Sequence, residues 1–366
     1  MNKLNRYPAL RVNKKNIYEN AKRIVELCME NGIKVSGVIK GANGIMSVAE
    51  EFIRAGCAHI ASSRMEQLQA IKEYDPDVET MLLRIPMLSE VDDLIDYADI
   101  SLNSEWEIVE KINEACEKHE KFHRVILMLD LGDLREGFFY PQELMDLALH
   151  IENDMKYIEL AGVGTNLGCY GSVKPTNKNL GELCKVADDI EKKIGRKLEF
   201  VSGGATSSLP LLVSGEMPDG VNNLRIGEGI LLNMDLPEIW EVNIEGLKQG
   251  TFTLEAEIVE IKEKPSYPVG ELFIDAMGNK PTYEDRGIRK KALLAVGKQD
   301  FAMHDKLIPL DKGVEIIGSS SDHMIIDIQN AEKLYKLGDI LEFKMFYGPM
   351  LYLCGSEWVR KTYKDK

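Results

Sequence analysis

From residue 34 to about 230, short apolar runs alternate with segments whose apolar residues recur at i, i+3 and i+4. The runs are "KVSGVIK", "CAHIASS", "ETMLLRI", "ADISLN", "RVILMLDL", "IELAGVGTN", "LEFVSGG" and "NNLRIG". Rich in β-branched and small residues, and closed by Gly, Asn or charged positions, they read as buried strands. Between them, "SVAEEFIRAG", "SEWEIVEKINEACEKHE", "PQELMDLALHIEN" and "LGELCKVADDIEKKIG" read as amphipathic helices. Eight strands in a βαβα rhythm over some 200 residues predict an α/β fold with a (β/α)8 TIM-type barrel. A doubly wound dinucleotide fold would want a GxGxxG turn after its first strand, and "KGANG" is not one.

Beyond about residue 235 the pattern changes to alternating or β-rich runs separated by glycines, among them "TFTLEAEIVEIKEK", "GVEIIGSSSDHMIIDIQ" and "GDILEFKMFYGPMLYLCG". With no strong helix expected there, the segment predicts a C-terminal antiparallel β-domain. The expected division is therefore an N-terminal strand over 1–12 that joins the β-domain, a barrel over 13–235, and the β-domain over 236–366.

Composition narrows the partners. The 366 residues carry a net charge of −15 and no basic cluster, so nucleic acid and anionic membranes are poor candidates. No apolar run approaches a membrane span, and "MNKLNRYPAL" has no signal-peptide core, which points to the cytoplasm. Six scattered cysteines without a CxxC pair fit reduced thiols there. "HEKFH" (119–123) spells the HExxH zinc pattern, but the helix ends at that point and a strand follows, so no metal site is expected.

In a barrel, residues at strand C-termini converge on one mouth. Lys40 closes the first strand, Arg135 follows "LMLDLGD", Asn166 follows "AGVGT", and Arg225 lies in "LRIGEG". "SGGATSS" (202–208) offers backbone N–H groups and hydroxyls of the kind that hold a phosphate without a metal. A phosphate grip beside a strand-end lysine suggests pyridoxal 5'-phosphate, an aldehyde cofactor that condenses with lysine.

These residues also carry a resemblance. The chain resembles the fold-type III pyridoxal-phosphate enzymes over nearly its whole length, and within them the alanine racemase-like family and its ornithine racemase group. "GVIKGANG" is similar to the family's lysine-bearing strand, which implies Lys40 as the lysine that carries the cofactor. "LDLGDLREG" resembles D-T-G-x-x-R-x-G, which implies Arg135 at the phenolic oxygen, and "LRIGEGIL" implies Arg225 at the pyridine nitrogen, with Glu228 as the alternative partner. The resemblance implies a phosphate site built from Ser202, Gly203, Gly204, Thr206, Ser207, Gly227 and Tyr347, with Asn166 beside the cofactor. It also implies a two-fold homodimer in which "SSSDHMIID" reaches the partner's site. The implied activity is racemisation of a small-molecule amino acid, with Asp322 as the counterpart of an aspartate that meets a distal ammonium, hence a diamino acid such as ornithine or lysine.

The chain departs from the alanine racemase pattern in three places. Gly44 stands where a tyrosine is expected, Asn166 where a histidine is expected, and "VGKQDF" puts Lys298 where the second base, a tyrosine, would fall. Ser321, His323 and Lys298 remain open as that base. The alternatives are an alanine or broad-specificity racemase, a decarboxylase of the same fold, a non-catalytic pyridoxal-phosphate carrier, and a barrel enzyme without cofactor. A guanidinium at the pyridine nitrogen disfavours its protonation and weakens the electron sink, which suits racemisation better than decarboxylation.

Overall fold

A computed structural model describes residues 6–364, which divide into two compact units, 16–248 and the remainder. In the first unit the strands β2 (Lys34–Val38), β3 (His59–Ser62), β4 (Thr80–Leu82), β5 (Ile100–Asn103), β6 (His123–Met128), β7 (Ile158–Gly164), β8 (Phe200–Ser202) and β9 (Asn223–Ile226) pair in parallel and close into a barrel; β1 precedes them at Ala9–Asn13. All eight apolar runs of the sequence became these strands.

The helices between them bury one stripe each against the outside of the barrel. Asn177–Ile194 shows why such a segment is helical: Leu180, Leu183, Val186, Ala187 and Ile190 share its buried face. Thr176 caps it by accepting from the Asn179 N–H at 3.2 Å, and Gly195 ends it in the left-handed conformation (φ 75°), open to glycine at little cost. Leu, Val and Ile residues fill the layer between strands and helices. A second, smaller cluster fills the barrel itself, from Val38, Ala61, Met81, Ile100, Leu102, Ile126, Met128, Ala161 and Phe200.

The other unit is an eight-stranded sheet. Its path runs β12 (Leu307–Pro309), β15 (Ile340–Met345), β10 (Phe252–Pro265), β11 (Ile288–Leu294), β14 (Met324–Asp327), β13 (Glu315–Ser319), with antiparallel pairing throughout. The N-terminal strand β1 joins this sheet, antiparallel to β10 and parallel to β16 (Arg360–Lys364).

One expectation here is overturned. "YGPMLYLCG" reads as part of a β-rich run, yet Tyr347–Gly355 is an α-helix. Its buried residues, Pro349, Met350, Leu353 and Cys354, have helical spacing, and Pro349 falls in the first turn, where a missing N–H costs no intrahelical bond. An apolar run of that length does not reveal its period, so the proline was the available signal. Among the described residues no helix is long and apolar enough to cross a membrane.

The two histidines of "HEKFH" diverge. His119 ends the helix Trp106–His119 on the surface, whereas His123 opens β6, buried, with Nε2 2.8 Å from the Ser101 hydroxyl.

Candidate active site

The C-terminal ends of β2, β6, β7, β8 and β9 bring the sequence candidates together. Lys40 opens a single 3-10 turn directly after β2, and Asn43 (φ 50°) and Gly44 (φ 66°) turn the chain away. Its ammonium is largely desolvated and has no hydrogen bond or ion pair among the described residues. Burial, with Arg135 and Arg225 nearby, lowers its pKa; Cys169 and Glu136 oppose the shift. The amine is therefore held closer to its neutral, nucleophilic form than a surface lysine.

Arg135 makes a two-point ion pair with Glu136. Arg225 is 4% exposed and points into the barrel. It donates one N–H to the Ser202 hydroxyl and another to the Thr165 carbonyl at 2.6 Å. Burial pushes it down to about 10, with Arg135 adding to the effect and Glu136 and Cys169 opposing it. Lys40, Arg135, Glu136, Cys169 and Arg225 thus sense one another's charge at one mouth.

Asp133 organises the rim. Its buried carboxylate accepts the amides of Gly168, Tyr170 and Val173 at 3.0, 2.9 and 3.2 Å. That ties the Arg135 loop to the loop carrying Cys169. A Cβ on Gly171 would sit 2.5 Å from the Asp133 carbonyl oxygen, so only glycine fits there. Glu136, Cys169 and Asp133 were not singled out by sequence reasoning, although "LDLGDLREG" contains two of them.

The phosphate loop needs a correction of detail. Ser202 lies beneath the mouth, bonded to Arg225 and Asn223, rather than facing a ligand. The Ser207 hydroxyl donates to the Leu167 carbonyl at 3.0 Å, Ser208 to that of Gly203 at 2.7 Å, and Thr206 Oγ accepts from the Gly229 amide at 3.2 Å. These hydroxyls shape the loop, and its free donors are backbone: the N–H groups of Gly204 and Ala205 bond to no described residue. Gly203 and Gly204 (φ 104°) keep that backbone bare; a Cβ would meet Val221 at 2.6 Å and the Ser208 hydroxyl at 2.9 Å respectively. Gly227 packs against Val38, 3.2 Å from a Cβ position.

Two buried polar atoms just after β7, Thr165 Oγ1 and Asn166 Nδ2, have no partner among the described residues. Such orphans cost free energy unless a ligand or water meets them. A lone amine, a bare glycine loop and unpaired donors at one mouth fit a phosphorylated aldehyde better than an ordinary rim.

Glu228 is turned elsewhere. Its Oε1 accepts the amides of Met234 and Asp235 at 2.8 and 3.0 Å, and burial with Asp235 nearby raises its pKa from 4.5 to about 7. Of the two candidates for the pyridine nitrogen, only Arg225 is bonded to the strand ends of the mouth. The raised value gives a test. The folded state holds a proton that the unfolded chain releases, so stability relative to Glu228→Gln should fall as pH rises from about 4.5 to about 7, then level off. Urea unfolding of both proteins across that range measures it, and a flat difference would contradict the assignment.

In the β-sheet unit, Ser320–His323 forms a tight exposed turn between β13 and β14, with the Ser320 amide donating to the His323 carbonyl at 2.8 Å. Asp322 accepts from the Ser321 hydroxyl at 2.8 Å and from Gln299. The backbone of Lys298 and Gln299 bonds to Ser320 and Ser321, so the three candidate bases share one neighbourhood. Gly297 permits this approach, since a Cβ there would lie 2.0 Å from the Ser321 carbonyl oxygen. Tyr347 opens the helix Tyr347–Gly355.

A family model described as alanine racemase, N-terminal domain, matches residues 12–233. The chain belongs to the alanine racemase family. Within it, ornithine racemase of Acetoanaerobium sticklandii is 42% identical over 355 residues, 97% of this chain and 99% of that protein. Lysine racemase of Thermotoga maritima is 38% identical over 358 residues, 98% and 99% of the two chains. The solved alanine racemase of Clostridium difficile 630 matches with a TM-score of 0.76 at 20% identity, covering 99% of this chain and 97% of that one, a likeness of fold. The cofactor of the alanine racemase family is pyridoxal 5'-phosphate, and the residues at the barrel mouth fit it.

Proposed function

We propose that the protein is a pyridoxal-phosphate amino-acid racemase that interconverts the L and D forms of a basic diamino acid, with ornithine the first choice and lysine the second. The observation that carries the reaction is the Lys40 amine, desolvated near Arg135 and Arg225 and without a bonded partner among the described residues. The observation that carries the substrate is likeness along nearly the whole chain to relatives named for ornithine and lysine.

In this reading the bound cofactor supplies an electron sink that acidifies the substrate's α-proton. Lys40 holds the cofactor and moves that proton at Cα on one face. Arg225, a cation whose acceptors are neutral oxygens, opposes protonation of the ring nitrogen and keeps the sink weak. Arg135, oriented by Glu136, meets the phenolic oxygen. The bare amides of Gly204 and Ala205, with Thr206 and Gly227, would hold the phosphate, while Asn166 Nδ2 would gain an acceptor.

A proton must also be exchanged on the other face, and the turn Ser321–His323 with Lys298 supplies the candidates. We assign that turn to the partner subunit's mouth in a two-fold homodimer, because "SSSDHMIID" resembles the family segment that reaches a neighbour's site and the turn is exposed. The Asp322 carboxylate would receive the distal ammonium. The scattered unpaired cysteines suit a cytoplasmic setting for this enzyme.

L-Ornithine incubated in heavy water should yield D-ornithine with deuterium at Cα and no carbon dioxide, faster than alanine is turned over. Carbon dioxide without D-product would replace this reading by decarboxylation. A preference for alanine would remove the diamino substrate but leave the racemase.

A further inference from the structure

Barrel interiors are ordinarily packed with branched apolar side chains. Here Met81, Ile100, Leu102, Ile126 and Met128 line one side, while four adjacent strands also turn polar side chains inward beside Val38, Ala61 and Phe200. His59 on β3, Ser36 on β2, Asn223 and Arg225 on β9 and Ser202 on β8 are all at most 4% exposed. Buried polar groups are tolerated only when bonded, and these are bonded to one another in sequence.

The direction of each bond can be fixed from its neighbours. Arg225 can only donate, so the Ser202 oxygen accepts from it and its O–H goes to Asn223 Oδ1 at 2.5 Å. The Asn223 amide cannot be reversed, because Nδ2 also donates to the Lys34 carbonyl at 3.3 Å. Nδ2 donates to Ser36 Oγ at 3.0 Å, which leaves the Ser36 proton for His59 Nδ1 at 3.0 Å. His59 is then the Nε2–H tautomer, with Nε2 3.5 Å from the Glu79 carboxylate at the opposite end of the barrel. Arg124 bonds Glu79 and Glu199 there.

We propose that Ser202, Asn223, Ser36 and His59 form a one-way hydrogen-bond column whose task is to hold Arg225 in register with the cofactor's ring nitrogen without a counter-anion. A carboxylate in contact with Arg225 would fix it equally well but would cancel the charge that keeps the ring unprotonated. A column of neutral dipoles with oxygen turned toward the guanidinium fixes its geometry and leaves its charge unspent. Asn223, Ser36 and His59 are thus positioning residues acting through Ser202. The inference rests on the reading that Arg225 meets the ring nitrogen, and the test separates the two.

The holoenzyme and the apoprotein resolved from it are used, with two probes: pyridoxal phosphate and the analogue carrying C–H in place of the ring nitrogen. Ser202→Ala and Asn223→Ala should each lower the preference for pyridoxal phosphate over the analogue roughly fivefold, the loss of about one neutral hydrogen bond. Affinity for the analogue itself should hold, and Ser202→Thr, which keeps the hydroxyl, should retain the preference. Where Asn223→Ala does not accumulate, Ser36→Ala removes one oxygen from the middle of the column and carries the same test. In the apoprotein, nitrogen NMR should show His59 as the Nε2–H tautomer and slow exchange at the Arg225 Nη atoms, with exchange faster in the variants. Unchanged Arg225 signals together with an unchanged preference would overturn the proposal. Arg225 signals that respond, alongside an Arg225→Ala enzyme with normal preference, would leave the column's hold on Arg225 standing and instead refute its place at the ring nitrogen.

Discussion

Replacing Lys40 by alanine should abolish both α-proton exchange and formation of the D-amino acid, lowering turnover by on the order of 10³-fold or more, within the range for removing a positioned base. Burial, with Arg135 and Arg225 nearby, favours the neutral form of this side chain. Removing a desolvated cation near two others relieves repulsion, and no hydrogen bond to a described residue is lost with it. The apoprotein of Lys40→Ala should therefore unfold at the same temperature as wild type or slightly higher, which separates loss of chemistry from loss of fold. Lys40→Arg should not rescue, since a guanidinium neither takes a proton at neutral pH nor condenses with an aldehyde. Borohydride reduction of the wild-type holoenzyme should attach the cofactor to the peptide containing Lys40, and attachment to another lysine would defeat the assignment. In the apoprotein, acetic anhydride labelling should show Lys40 becoming reactive at lower pH than exposed lysines.

The barrel was legible because its strands and helices alternate with different periods, and every apolar run between 34 and 230 kept its meaning in the fold. The helix at Tyr347–Gly355 was not, because nine largely apolar residues bury either way and only the proline hinted at a turn of helix. Within the mouth, Lys40 and Arg225 could be found from strand-end position. The roles of the serines could not: which hydroxyls of "SGGATSS" face a ligand and which close the loop depends on carbonyls as distant as Leu167, which no local pattern encodes. Asp133 illustrates the same limit. Its partners lie 35 to 40 residues away, and in the sequence it is one more acid in an acidic chain. The polar residues of the barrel interior escaped notice for a related reason: Ser36, Ser202 and Asn223 each look like ordinary strand residues until the closed sheet brings them together.

The second large effect is expected from a mixture of two inactive proteins. A barrel mouth with Lys40 as base has chemistry for one face of the substrate, and racemisation needs an acid on the other. If the turn Ser320–His323 serves the neighbouring subunit, two sites shared across an isologous interface follow. Ser321→Ala with His323→Ala in one chain, and Lys40→Ala in another, should then each be inactive alone. After exchange of subunits at equal amounts, half of the dimers are mixed, and each has one site with both lesions and one with neither. Activity should return to about a quarter of wild type, because one site in two is intact in half of the dimers. Separating the lesions then names the base. Ser321 donates to Asp322 at 2.8 Å, so Ser321→Ala also frees a carboxylate acceptor, whereas His323→Ala leaves that pair untouched. A loss confined to His323→Ala would point to the imidazole. A loss confined to Ser321→Ala would point to the hydroxyl, and full activity in both would move the role to Lys298. No recovery on mixing, with exchange verified by mass-tagged subunits, would place both faces of the reaction within a single chain.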